Sequence, residues 1–233
     1  YRNGDGVTED DSQAVYWYRK AAEQGDSDAQ LKLGFMYANG EGVTEDDTQA
    51  VYWYRKAAEQ GDSDAQLKLG FMFDLGKGVA EDDTQAVYWY KKAAEQGDAA
   101  AQFNLGVMYD LGNGVAEDDT LAVYWFRKAA EQGFAKAQYN LGNMYKYGEG
   151  VTEDDTQAVY WYKKAAEQGE AKAQYKLGFM FDLGKGVAED DTQAVYWYRR
   201  AAEQGHATGQ WSLAFMYKYG EGVAEDYILA YKW

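Results

Sequence analysis

Apolar and polar positions along this chain follow two helical registers in turn, with glycine turns between them. From Asp26 to Asn39 the apolar residues fall at Ala29, Leu33, Met36 and Tyr37, the i, i+4, i+7, i+8 spacing that lines one face of a helix. Gly40 and Gly42 then break the periodicity and turn the chain. A second stripe runs through Ala50, Trp53, Tyr54, Ala57 and Ala58 and stops at Gly61, a residue type suited to the left-handed position that closes a helix. Asp46 stands where this second helix begins, with Gln49 three residues on, the spacing of a capping box. Glu45 and Asp47 add negative charge at the positive end of the helix dipole. The pattern predicts a helix, a glycine turn and a second helix.

The same pattern then repeats. Trp17, Trp53, Trp89, Trp125, Trp161, Trp197 and Trp233 lie 36 residues apart, the first six inside a nearly unchanged string AVYWY-x-K-A-A-E-Q-G and the last at the end of DYILAYKW. Whole units run over 26–61, 62–97, 98–133, 134–169 and 170–205, with partial units 1–25 and 206–233, so 1–233 reads as a single repeat array. The chain starts at the counterpart of Tyr37 and stops at the counterpart of Trp53, which reads as a window on a longer array. One helix pair of this size cannot bury its own apolar face, so each must stack on its neighbours.

The recurring residues of the first full unit are Ala29, Leu33, Gly34, Tyr37, Gly40, Gly42, Val43, Asp46, Ala50, Trp53, Tyr54, Lys56, Ala57, Ala58 and Gly61. This set resembles the Sel-one-like repeats (SLR), relatives of the tetratricopeptide repeats, across essentially the whole chain. The resemblance implies an all-α fold, a right-handed α/α superhelical solenoid of 36-residue helix-turn-helix repeats. It also implies a role in protein–protein contact, often in bacterial proteins. Some positions depart from the family pattern. Thr44 or Ala80 stands where the family often has proline, Ala214 replaces the helix glycine, and Leu121 and Leu229 replace the capping-box glutamine.

Composition narrows the function. Apolar residues make up 46% and proline is absent, which suits buried helices. A net charge of −16 opposes a nucleic-acid partner and an anionic membrane surface. With no cysteine, disulfides, zinc–thiolate sites and thiol catalysis are excluded. No compartment follows, and any targeting signal is expected outside this stretch. The single histidine, His206, falls in a turn and is expected at the surface. The four serines occupy no nucleophile elbow, and the GEGV and GKGV turns follow helices rather than a strand. The EDD runs recur at helix starts, whereas a catalytic carboxylate pair is made once, and they lack the alternating spacing of a calcium loop. The chain therefore reads as a non-enzyme without cofactor or metal.

Comparison among the units exposes a candidate surface. In the first helix the glutamines Gln30, Gln66, Gln102, Gln138, Gln174 and Gln210 never change, as in a structural hydrogen-bond ladder. Four other positions vary along one stripe facing away from the packing arc. If first helices line the groove, as in the family, this stripe paves it. Lys136, Lys172 and Lys176 sit there with Asn104, Asn140 and Asn143, beside Tyr147 and Phe179. Lysines select acidic groups, asparagine amides bond an extended backbone, and aromatics hold an apolar anchor. The expected partner is a protein or peptide segment with acidic character. Earlier units set Asp28 against Lys32 and Asp64 against Lys68, which cancels that preference. Tyr52, Tyr88, Tyr124 and Tyr160, each preceding a core tryptophan, form a second surface, a tyrosine ladder suited to self-association. A structural assembly module is the alternative reading, and a saccharide binder or an enzyme a more distant one.

Overall fold

The structure, a computed structural model, describes residues 10–233. The part of the partial unit 1–25 before Asp10 lies outside the described residues. Every regular element among them is an α-helix: α1 (Asp11–Glu23), α2 (Ser27–Asn39), α3 (Asp47–Glu59), α4 (Ser63–Asp74), α5 (Asp83–Glu95), α6 (Ala99–Leu111), α7 (Asp119–Glu131), α8 (Ala135–Tyr147), α9 (Asp155–Glu167), α10 (Ala171–Asp182), α11 (Asp191–Glu203), α12 (Ala207–Tyr219) and α13 (Tyr227–Lys232). This is the all-α architecture of consecutive 36-residue helix pairs that the tryptophan spacing predicts. The chain forms two compact units divided between Glu117 and Asp118.

Aspartates start the second helices. Asp46 accepts from the backbone N–H of Gln49 at 3.0 Å, Asp82 does the same with Gln85, and Asp190 with Gln193. The capping box itself is only half formed. The backbone N–H of Asp46 donates to Tyr37 O, and that of Asp190 to Phe181 O, both at 3.0 Å. The turn has folded the chain back onto the end of the first helix, so the N–H that a glutamine side chain would take is already used. This explains why Leu121 and Leu229 are tolerated: Asp118 and Asp226 still cap their helices at 2.9 Å.

Helix ends are equally regular. Gly61, at φ +97°, donates to Ala58 O while Asp62 donates to Ala57 O, the paired bonds of a Schellman close. The second glycine of each GxGV turn meets two demands. Gly78 has φ +65°, and a Cβ there would collide with the backbone carbonyl of Asp47 in the preceding repeat. Gly186 meets Asp155 in the same way. The turn thus seats one repeat on the next through bare backbone.

The core follows the predicted face. Leu33, Leu69, Leu105, Leu141, Leu177 and Leu213 are fully buried, as are most alanines of the second helices. At Gly34 a Cβ would stand 2.7 Å from the ring of Tyr54, so glycine lets α3 press against α2.

Candidate functional site

The invariant glutamines prove structural. Gln30 Nε2 donates to Ala22 O at 3.0 Å, and its Oε1 accepts from Gln60 Nε2 at 2.7 Å. Gln66 with Gln96, Gln138 with Gln168, and Gln174 with Gln204 repeat the arrangement at 2.7–2.8 Å. These bonds tie consecutive repeats at a buried joint, where an unsatisfied amide would be costly.

In the second unit, the stripe residues of α8 and α10 are partly tied to one another. Lys136 and Lys172 are exposed at the N-terminal ends of these helices. Lys176 Nζ donates to Tyr147 Oη at 2.9 Å and lies 5.4 Å from the centre of that ring. Tyr147 is 55% exposed, so the pair presents a cation and an aromatic face together. Asn143 accepts from the hydroxyl of Tyr162 at 2.8 Å, so its carbonyl oxygen holds a core tyrosine. Asn140 and Phe179 are half-buried, and Phe179 packs against Tyr175 at 6.5 Å. Asn104, also half-buried, lies on α6 in the first unit. Lys146 sits behind the stripe, 3.0 Å from the Asp155 carboxylate.

His206 is more than a surface turn residue. Its Nδ1 accepts from the backbone N–H of Gly209 at 3.1 Å, capping α12, and its ring stacks on Tyr175 at 5.0 Å. Burial, and then the charge of Lys172, push its pKa below the ordinary histidine value, which keeps the neutral ring that a cap acceptor requires.

The tyrosine ladder is partly covered from its own helix. Tyr52, Tyr88, Tyr124 and Tyr160 each stand edge-on to the next tryptophan at 4.9 Å. Lys56, Lys92, Lys128 and Lys164, four residues on, lie 5.2–5.8 Å from the same ring centres. The four tyrosines remain 48–49% exposed.

The first unit holds a feature that the sequence reading passed over. Two clefts, of about 410 and about 370 Å³, open between α2 and α4. Phe35, Tyr54 and Lys68 line both. Burial, and secondarily the Asp47 carboxylate, hold the Tyr54 hydroxyl above the usual tyrosine range, so it is a neutral donor.

Among the described residues, no three His, Cys, Asp or Glu side chains converge as metal ligands. No helix there is long and apolar enough to cross a membrane.

The Sel1 repeat profile matches residues 1–26, 27–62, 63–98, 99–134, 135–170, 171–206 and 207–233. The chain belongs to the Sel1 repeat family. Among solved structures it is similar to a protective antigen present in uropathogenic Escherichia coli strains, described as displaying an SLR fold, with 47% identity and a TM-score of 0.90. That match covers 93% of this chain but 46% of the antigen, so the chain spans less than half the length of that relative. A Sel1 repeat protein from Oxalobacter formigenes matches over 100% of this chain and 67% of its own, at 39% identity and a TM-score of 0.85. A further Sel1 repeat protein, from Klebsiella pneumoniae, shares 29% identity over 85% of this chain and 97% of its own, with a TM-score of 0.52. No curated protein sequence matches. Sel1 repeat proteins are typically protein-interaction scaffolds, and the fold is generally non-catalytic.

Proposed function

We propose that this Sel1 repeat chain is a non-catalytic scaffold whose second unit holds an acidic segment of a protein partner along α8, α10 and α12. One observation carries the reading. The first helices of the second unit, with their caps, bear five lysines against two acids, four of the lysines lying outside the Lys146–Asp155 pair, in a chain with 39 acids and 23 basic residues. Lys136 and Lys172 are exposed there, and Lys176 is presented over Tyr147. Exposed charges are individually weak, so selection rests on several acting together. Phe179 and Tyr147 supply apolar contact, and Asn140 and the amide of Asn143 would meet a partner's backbone, while Asn104 belongs to the first unit and is left out of this surface. Docking of a second copy on Tyr52, Tyr88, Tyr124 and Tyr160 is the weaker reading, because lysines already lie over those rings.

The test follows the binding of acidic peptides at low salt to α8, α10 and α12 by the amide chemical shifts of those helices. Changing Lys136, Lys172 and Lys176 to Glu should abolish binding and leave the helical circular dichroism intact. The same charge change at Lys91, Lys163 and Lys185, which are exposed elsewhere, should leave binding in place. Shifts on α8 and α10 that survive the first triple change refute the assignment.

A further inference from the structure

The tyrosine that follows a core tryptophan sends its hydroxyl to an acceptor on the preceding first helix. Tyr90 donates to Asp74 Oδ2 at 3.1 Å and Tyr198 to Asp182 Oδ2 at 2.9 Å. In the α8–α9 pair, Lys146 occupies the aspartate position, and Tyr162 turns to Asn143, three residues earlier. Tyr54 has neither option. Ala38 stands where Asp74 and Asp182 stand, and Phe35 stands where Asn143 stands. Tyr54 is 2% exposed, yet its hydroxyl donates no hydrogen bond among the described residues.

The missing acceptor coincides with open space. Tyr54 lines both clefts of the first unit, and Ala38 lines one of them. The charged walls are Lys32, Lys68 and Lys77 against Asp47 and Asp64, an excess of cations. Phe71 and Leu75, 45% and 52% exposed, give an apolar flank. We infer that this cleft receives the side-chain carboxylate of an aspartate in an extended, apolar-flanked segment of a partner protein, seated where the sister repeats place Asp74 and Asp182.

The fold itself supplies the precedent, because the equivalent hydroxyls of Tyr90 and Tyr198 are satisfied by carboxylates of this same chain. The Tyr54 hydroxyl borders the open cleft without a protein acceptor among the described residues, and a carboxylate accepting from it there gains a charge-assisted hydrogen bond. Asp47 and Asp64 favour a cation, and the counterpart of Asp47, Asp155, is met by Lys146 at 3.0 Å. The three lysines oppose that occupant. The cleft lies wholly within the first unit and does not depend on the lysines proposed above for the second.

The decisive experiment titrates the 233-residue chain with acetyl-Leu-Asp-Leu-amide, followed by amide chemical shifts. Acetyl-Leu-Asn-Leu-amide and acetyl-Leu-Lys-Leu-amide serve as comparisons. The aspartate peptide should bind at least about tenfold more tightly than either, the worth of one charge-assisted bond. Tyr54→Phe keeps the ring against Gly34 and should weaken it about tenfold. Ala38→Asp supplies the acceptor internally, so it should block the peptide while raising Tm. Changing Lys136, Lys172 and Lys176 should leave this binding unaltered. Equal binding of the aspartate and asparagine peptides, stronger binding of the lysine peptide, or no binding up to millimolar concentration would overturn the assignment. Unchanged binding by Ala38→Asp would do so as well.

Discussion

The two units share one 36-residue plan and diverge at the same two places, the cap of the first helix and its exposed stripe. In the first unit Asp26, Asp62 and Asp98 each accept a backbone N–H at 2.7–2.8 Å. In the second, Phe134 and Glu170 make no side-chain cap bond, and His206 caps through a ring nitrogen. The first helices of the first unit, caps included, carry seven acids against two lysines, whereas those of the second carry two acids against five lysines. Behind these surfaces the leucines, alanines and glutamine joints are the same. Stability in stacked repeats lies mainly in the interface between neighbours, so a cap can be given up without endangering the array. Variation is therefore free to collect where a partner would be met.

The largest expected effect tests the claim that the interiors are equivalent. Trp89 in the first unit and Trp197 in the second are 6% and 7% exposed. Replacing either with Ala should cost about 3–5 kcal/mol in urea unfolding, because each leaves a large cavity. Trp17 is 51% exposed and should cost well under half as much. The half-buried Trp161 should fall between them. A large inequality between Trp89→Ala and Trp197→Ala would mean that the units differ in their cores and not only at their surfaces.

A smaller effect addresses the caps directly. Asp62→Ala should lose about 1 kcal/mol, while Phe134→Asp should gain a similar amount, since the backbone at residue 134 is already extended as a cap requires. Chemical denaturation of the single variants measures both. If Phe134→Asp is neutral or destabilising, the second unit did not exchange cap stability for surface, and its Phe134 has a packing role that offsets the missing cap.

Most of this architecture is legible in the sequence, because a 36-residue spacing of tryptophans and the helical stripes between them are local signals. What escaped was contact across repeats. Gln30 is recognisable as structural, but its partner Gln60 reads only as the end of a helix, since a contact 30 residues away has no helical period. Asn143 reads as a backbone-binding amide until the position of Lys146 is set beside it. Where the later position is Asp, as at Asp74 and Asp182, the earlier one is Phe71 or Phe179 and the tyrosine finds the carboxylate. Where it is Lys146, the earlier one is Asn143 and takes the hydroxyl instead. That pairing was visible in the sequence, and the same comparison exposes the gap at Ala38. The half-formed capping box was not visible, because only the folded turn shows the Asp46 N–H bound to Tyr37.

The smallest expected effect is a pH dependence confined to the second unit. The cap at His206 requires an unprotonated Nδ1, and burial with nearby Lys172 lowers the folded-state pKa below the ordinary 6.5. As pH falls through 6.5, the unfolded chain takes up a proton that the folded chain refuses, so folding loses stability over that interval. The loss is complete once the pH is below the folded value and both states are protonated. Stability from this group is thus fully present above 6.5 and declines with acidification. The measurement is a difference between two proteins, so contributions from every other group cancel. Melting curves of the wild type and of His206→Asn, whose amide can cap without titrating, should run parallel above neutrality. They should separate below pH 6.5, with the wild type falling faster. The first unit caps the same position with Asp26, Asp62 and Asp98, so Asp62→Asn should show no separation in that interval. Parallel curves for His206→Asn down to pH 5 would show that the folded and unfolded chains hold the His206 proton equally, and would overturn the lowered folded-state pKa.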